Sequence, residues 1–220
     1  MEKPHARYHR LLRALPPFLF FLLASNWTMY LYFFLHEAGH AIVVRALGGS
    51  ITQFEVGLFN SGYAFSGKFS DFENSIRACA GLVFPILLWF VFVLVVPRKT
   101  RPIFGIVRFI FSIGFLACLL PVLVKVINYQ NGWRSYAGWG DDVTQFLDYS
   151  HWNGYLTAGI VLIILALAAI CLIRKATIQE AIAQIRREGI SFMREKYLLL
   201  VMVGLWIIAF GLTTAFNSIG

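Results

Sequence analysis

Charge is scarce in this sequence. Only 14% of its 220 residues are Asp, Glu, Lys or Arg, against about 25% in an average soluble domain, so neither a disordered chain nor an ordinary water-solvated globule fits. Cysteine is scarcer still. Cys79, Cys118 and Cys171 are an odd number and lie in apolar stretches, which excludes a disulfide scaffold and makes them small buried hydrophobes. Glycine and proline, 18 and 7 residues, are too few for a collagen-like chain, and no internal repeat, low-complexity tract or long linker sets off a soluble domain. What fills the chain is hydrophobic, at 59% with 16% aromatic, so its main solvent is lipid.

A membrane-crossing helix needs about 20 mostly apolar residues. Five runs qualify: Phe18 to Leu47, Ala78 to Pro97, Ile103 to Ile127, Gly154 to Ile173 and Leu198 to Phe216. The first follows the basic segment Lys3, Arg7, Arg10 and Arg13 but is too long for a signal-peptide core, so it reads as a retained anchor helix. The expected fold is an all-α polytopic membrane protein of about five transmembrane helices, with a small β-hairpin after the first.

The net charge of +8 would point to nucleic acid on a soluble face. In a membrane chain clustered Lys and Arg instead set orientation, so the expected partner is the bilayer and no nucleic acid. Most of the 19 basic residues fall before the first run, between the second and third (Arg98, Lys99, Arg101), or between the fourth and fifth (Arg174, Lys175, Arg186, Arg187, Arg194, Lys196). With five spans all of these lie on one side, which predicts a multi-pass protein of the plasma membrane with its N-terminus in the cytoplasm.

Two connections carry structure of their own. Ile51 to Phe69 alternates apolar with polar or small residues around Asn60-Ser61-Gly62, the pattern of a β-hairpin. Lys175 to Lys196 spaces Ile178, Ile182, Ile185 and Phe192 at helical intervals among basic residues, the pattern of an interfacial amphipathic helix. The expected organisation is a basic N-terminus (1–17), a membrane core (18–152) and two C-terminal helices joined by the basic segment 174–196 (153–220).

At the C-terminal part of the first run stands His36-Glu37-Ala38-Gly39-His40, an H-E-x-x-H pattern on a predicted helix. Residues four apart lie one turn above each other, so both imidazoles can reach one metal while Glu37 sits beside them to polarise a water. An unpaired carboxylate in a spanning helix costs roughly 2.5–3.5 kcal/mol. A purely structural helix gains nothing from that, although hydrogen bonding among the three side chains is the plainer alternative. Ser25, Asn26 and Thr28 nearby read as bonding back to their own helix backbone.

A catalytic zinc takes three protein ligands. The remaining candidates on the same predicted side are Glu55, Asp71, Glu73, Asp141, Asp142, Asp148 and His151, and the densest cluster is Gly140-Asp141-Asp142-Val143-Thr144-Gln145-Phe146. Asp142 with Gln145 also has the form of a capping box. Capping and ligation stay open for either acid.

These residues support a resemblance. HEAGHAIVVRALGG, then a hairpin-like segment, then Cys79-Ala80-Gly81-Leu82 opening the next helix, resembles the site-2 protease family of intramembrane zinc metallopeptidases, peptidase family M50, in its small divergent M50B-like branch, over roughly residues 30 to 95. The resemblance implies a Zn²⁺ cofactor with His36 and His40 as ligands, Glu37 as catalytic base, and an acid of the Asp141-Asp142 pair as third ligand. Asp142 is preferred, Asp141 second, because Asp-Val-Thr-Gln-Phe resembles the start of the family's ligand helix. The implied reaction is hydrolysis of a peptide bond in or near a transmembrane segment of a membrane-protein substrate. Better-known members carry Asn-Pro and Leu-Asp-Gly around the distal acid and often a PDZ domain; here Trp139-Gly140-Asp141-Asp142-Val143 stands instead. The family implies a zinc toward the cytosol, whereas the charge count puts His36 roughly 27 Å along its helix, at 1.5 Å per residue. The alternative function is a catalytically inactive membrane scaffold that retains the fold.

Overall fold

The computed structural model describes residues 4–57, 61–95, 102–132 and 141–174, with a few isolated positions beyond. Apart from those isolated positions, the expected amphipathic helix Lys175 to Lys196 and the fifth run, Leu198 to Phe216, lie outside the described residues, as does the hairpin position Asn60. The described chain is mostly helical: α1 (Pro4–Ala46), a hairpin of β1 (Ser50–Val56) and β2 (Ser61–Ser66), α2 (Asp71–Val95), α3 (Pro102–Ala117), α4 (Leu119–Gln130), α5 (Asp142–Ser150) and α6 (Gly154–Arg174).

Among the described residues three helical stretches are long and apolar enough to cross a membrane: Asp71–Val95, Phe109–Gln130 and Gly154–Ile173. The first expected run lies inside α1 except for Leu47. Two expected boundaries change. The second helix starts at Asp71, well before Ala78, because Ser70 and Glu73 form a capping box: the Ser70 amide donates to the Glu73 carboxylate at 2.8 Å, and the Glu73 amide donates to the Ser70 hydroxyl at 3.3 Å. The third run divides into α3 and α4 at Cys118. Pro121 has no N–H to offer the Ala117 carbonyl, so the helical ladder is interrupted there.

The hairpin forms, with an offset. β1 and β2 pair antiparallel from Ser50↔Ser66 to Val56↔Ser61, with a bulge between Ile51 and Gln53. Ser61 and Gly62, expected at the turn, therefore lie in β2. The pairing ends at Ser66, before Gly67, whose φ of +151° suits glycine.

Small residues set the depth of the α1–α2 seam. A Cβ on Gly39 would stand 2.6 Å from the Ala80 carbonyl oxygen and 2.9 Å from Phe84 Cβ, so the close approach of the two backbones requires glycine there. Around this seam Tyr32, Trp89, Val93 and Phe115 bury one cluster, while Val122 and Val126 of α4, Val143 and Leu147 of α5 and Val161 of α6 bury another. The second cluster fixes α5, and with it the acid pair, against the helices. Tyr30 and Ala41 of α1 hold Phe54 and Val56 of the hairpin. Large apolar side chains such as Leu87, Val91, Leu94 and Val95 are exposed on α2, as suits a helix surface solvated by lipid. Asn26 and Thr28 donate to the Leu22 and Ala24 carbonyls, each at 2.8 Å, the back-bonding that their positions inside a helix predict.

Candidate metal centre

One turn of α1 places His36 and His40 on the same face, and α5 brings Asp142 to them. His36 Nε2 stands 2.7 Å from Asp142 Oδ2, His40 Nε2 stands 3.1 Å from the same oxygen, and the two imidazole nitrogens are 3.3 Å apart. Ligands held 2.0–2.1 Å from a tetrahedral zinc stand about 3.3 Å from one another, so the triangle is close to the size one ion needs. Its chemistry fits as well. His40 Nδ1 is 2.7 Å from the Arg77 carbonyl oxygen, which can only accept, so Nδ1 carries a proton and Nε2 is the ring nitrogen left to ligate a metal. Burial works against ionised Asp142, but the hydrogen bonds to His36 and His40 outweigh it and hold the carboxyl well below the usual carboxylate range. The acid is therefore ionised and able to ligate at neutral pH.

Gly81 of α2 closes the back of the triangle. A Cβ there would overlap His40 Nε2 and stand 2.7 Å from His36 Cε1. Four residues on, Pro85 lies inside α2; lacking an N–H, it leaves the Gly81 carbonyl without its helical donor. The Gly81 backbone interacts with the His36 ring, although His36 Nδ1 is buried without a hydrogen bond of ordinary geometry.

Glu37 is 5% exposed, and among the described residues its carboxylate has no hydrogen-bond partner. It opens on a polar cavity of about 500 Å³ that also holds His36, His40, Tyr63, Arg77 and Asp142. An apolar groove of about 600 Å³ along α1 and α2, lined by Ile42, Val43, Val83 and Leu87, contains no such cluster of ligands.

Four of the other candidate acids are engaged elsewhere. Asp141 pairs with Lys125, Asp148 accepts from the Tyr129 hydroxyl, Glu73 caps α2, and Glu55 accepts from Gln53. Asp71 is exposed in the first turn of α2, and His151 is exposed at the end of α5. Asp141, not Asp142, occupies the N-cap of α5, without a side-chain capping bond. The capping box expected for Asp142 and Gln145 is absent, because Gln145 Oε1 accepts from Arg77 Nη2 at 2.9 Å.

Two residues at the cavity are additions to the sequence reading. Tyr63 of β2 stacks on the His40 ring, with centroids 4.8 Å apart and planes 13° apart, and its hydroxyl accepts a hydrogen bond from Arg77 Nη1. Burial pushes the Tyr63 phenol above its ordinary value although Arg77 pulls the other way, so the hydroxyl is protonated at neutral pH. The Ser70–Glu73 capping box was the available signal for Arg77, since it extends α2 back across position 77.

The sequence model of a family described as Peptidase M50B-like matches residues 18–136, more than half of the chain. The match takes in both histidines, Glu37 and Gly81 and ends before the acid pair. No curated protein and no solved structure shows a significant match to the chain.

Proposed function

The chain belongs to the Peptidase M50B-like family, and on that footing we propose that it is a zinc-dependent endopeptidase hydrolysing a peptide bond in or near a transmembrane segment of a membrane-protein substrate. The observation that carries this reading is the convergence of His36, His40 and Asp142 within 4.8 Å of one another, beside Glu37, which has no hydrogen-bond partner among the described residues. A zinc ion in such a set supplies Lewis-acid polarisation of a carbonyl and an acidified water. The chain's own residues do the rest. His40, its tautomer fixed by the Arg77 carbonyl, and ionised Asp142 hold the ligand set rigid. Glu37 accepts the proton of the attacking water and returns it to the leaving amine as the C–N bond breaks. The polar cavity admits water, and the surrounding apolar helices keep the substrate's membrane segment in lipid. The Lys and Arg clusters support an N-terminus on the cytoplasmic side.

The test is cleavage of a model transmembrane substrate by the purified full chain in lipid. Cleavage should disappear on chelation and return with added zinc. Cleavage that persists in chelator, or none under any metal condition, would defeat the proposal.

A further inference from the structure

We propose that Tyr63, braced by Arg77, is the hydrogen-bond donor to the carbonyl oxygen of the scissile peptide; the inference rests on the peptidase reading above. A phenol offers one O–H and can accept through its oxygen. Arg77 Nη1 fills the acceptor role, and among the described residues no group takes the Tyr63 proton. That proton is therefore available in the cavity shared with His36, Glu37 and His40, and the stacking on His40 fixes the ring beside the ligand set.

Arg77 explains why this donor is strong. Its side chain is buried, at 5% exposure, with the guanidinium over the Phe65 ring at 4.5 Å. Its donors go to neutral partners, Tyr63, Gln145 and Asn74, and no carboxylate pairs with it among the described residues. A buried cation lacking a counter-charge is costly. The cost is offset when negative charge develops on the carbonyl oxygen at the cavity, which makes the Arg77–Tyr63 pair a fixed dipole aimed at the transition state in preference to the ground state. In the reaction the water oxygen bonds to the carbonyl carbon, the C–N bond breaks and the proton travels through Glu37. Tyr63 keeps its own proton and only hydrogen-bonds. Arg77 is a positioning residue.

The test is Tyr63→Phe, which keeps the ring, its stacking and the volume. Its kcat should fall about 10²–10³-fold, the usual effect of removing one oxyanion donor, with KM within about twofold and zinc content unchanged. Affinity for a phosphonate peptide analogue, whose anionic oxygens imitate the tetrahedral centre, should fall in proportion to kcat/KM. Arg77→Gln should weaken analogue binding while leaving substrate KM in place. Wild-type kcat and analogue affinity in Tyr63→Phe would overturn the inference while leaving the peptidase reading intact, and loss of zinc in that variant would make Tyr63 structural. A wild type that cleaves nothing overturns the peptidase reading itself.

Discussion

Glu37→Gln is expected to retain zinc and lose about 10²–10⁴-fold in turnover, the range for a general acid–base group. The amide has the size of the carboxylate but cannot accept the water's proton, and Glu37 is not among the three residues whose ligand atoms converge. The same change should raise thermal stability. The carboxylate is 5% exposed and partnerless among the described residues, so replacing it by an uncharged group removes the cost of burying a charge. A rise in melting temperature with a collapse in rate is the signature of a residue kept for chemistry at the expense of stability. If Glu37→Gln turned over substrate at the wild-type rate, the proton path would have to run elsewhere.

Gly81→Ala is expected to be as damaging, for a steric reason. The new methyl would occupy the space of His40 Nε2 and press on His36 Cε1, pushing both rings off the ion. Misplacing reacting groups by about 1 Å costs on the order of 10²-fold, and here the metal site itself is displaced, so both zinc content and cleavage should fall. Gly159→Ala in α6 is the matched control, because nothing lies within 4 Å of the Cβ it would add. Equal loss in the two variants would mean that a general helix defect, and not the contact with the imidazoles, is responsible.

Spacing along one helix made His36, Glu37 and His40 legible in the sequence, since a four-residue step on a helix fixes which face the side chains share. The acid pair was legible as a cluster. The preference for Asp142 within it came only from the resemblance of Asp-Val-Thr-Gln-Phe, because the physical cause is Lys125, a residue of α4 that engages Asp141 and leaves Asp142 turned to the histidines. That is a tertiary fact with no local pattern. Tyr63 and Arg77 escaped for different reasons. Tyr63 reads as an ordinary apolar member of a strand alternation, and Arg77 sat outside the second helix until Ser70 and Glu73 were seen to cap it. The division at Cys118 was foreshadowed by Pro121, but a run judged by hydropathy alone passes over a lost backbone donor. Three spanning stretches stand among the described residues in place of about five: the third run still counts as one across Cys118, the first run, in α1, is not among the three, and the fifth lies almost wholly outside the described residues.

The most direct test of the metal centre is the zinc content of the purified full chain beside Asp142→Asn and Asp141→Asn. Stoichiometric zinc is predicted in the wild type and in Asp141→Asn, with its loss in Asp142→Asn. A wild type without stoichiometric metal, or zinc lost from Asp141→Asn and kept by Asp142→Asn, would contradict the assignment.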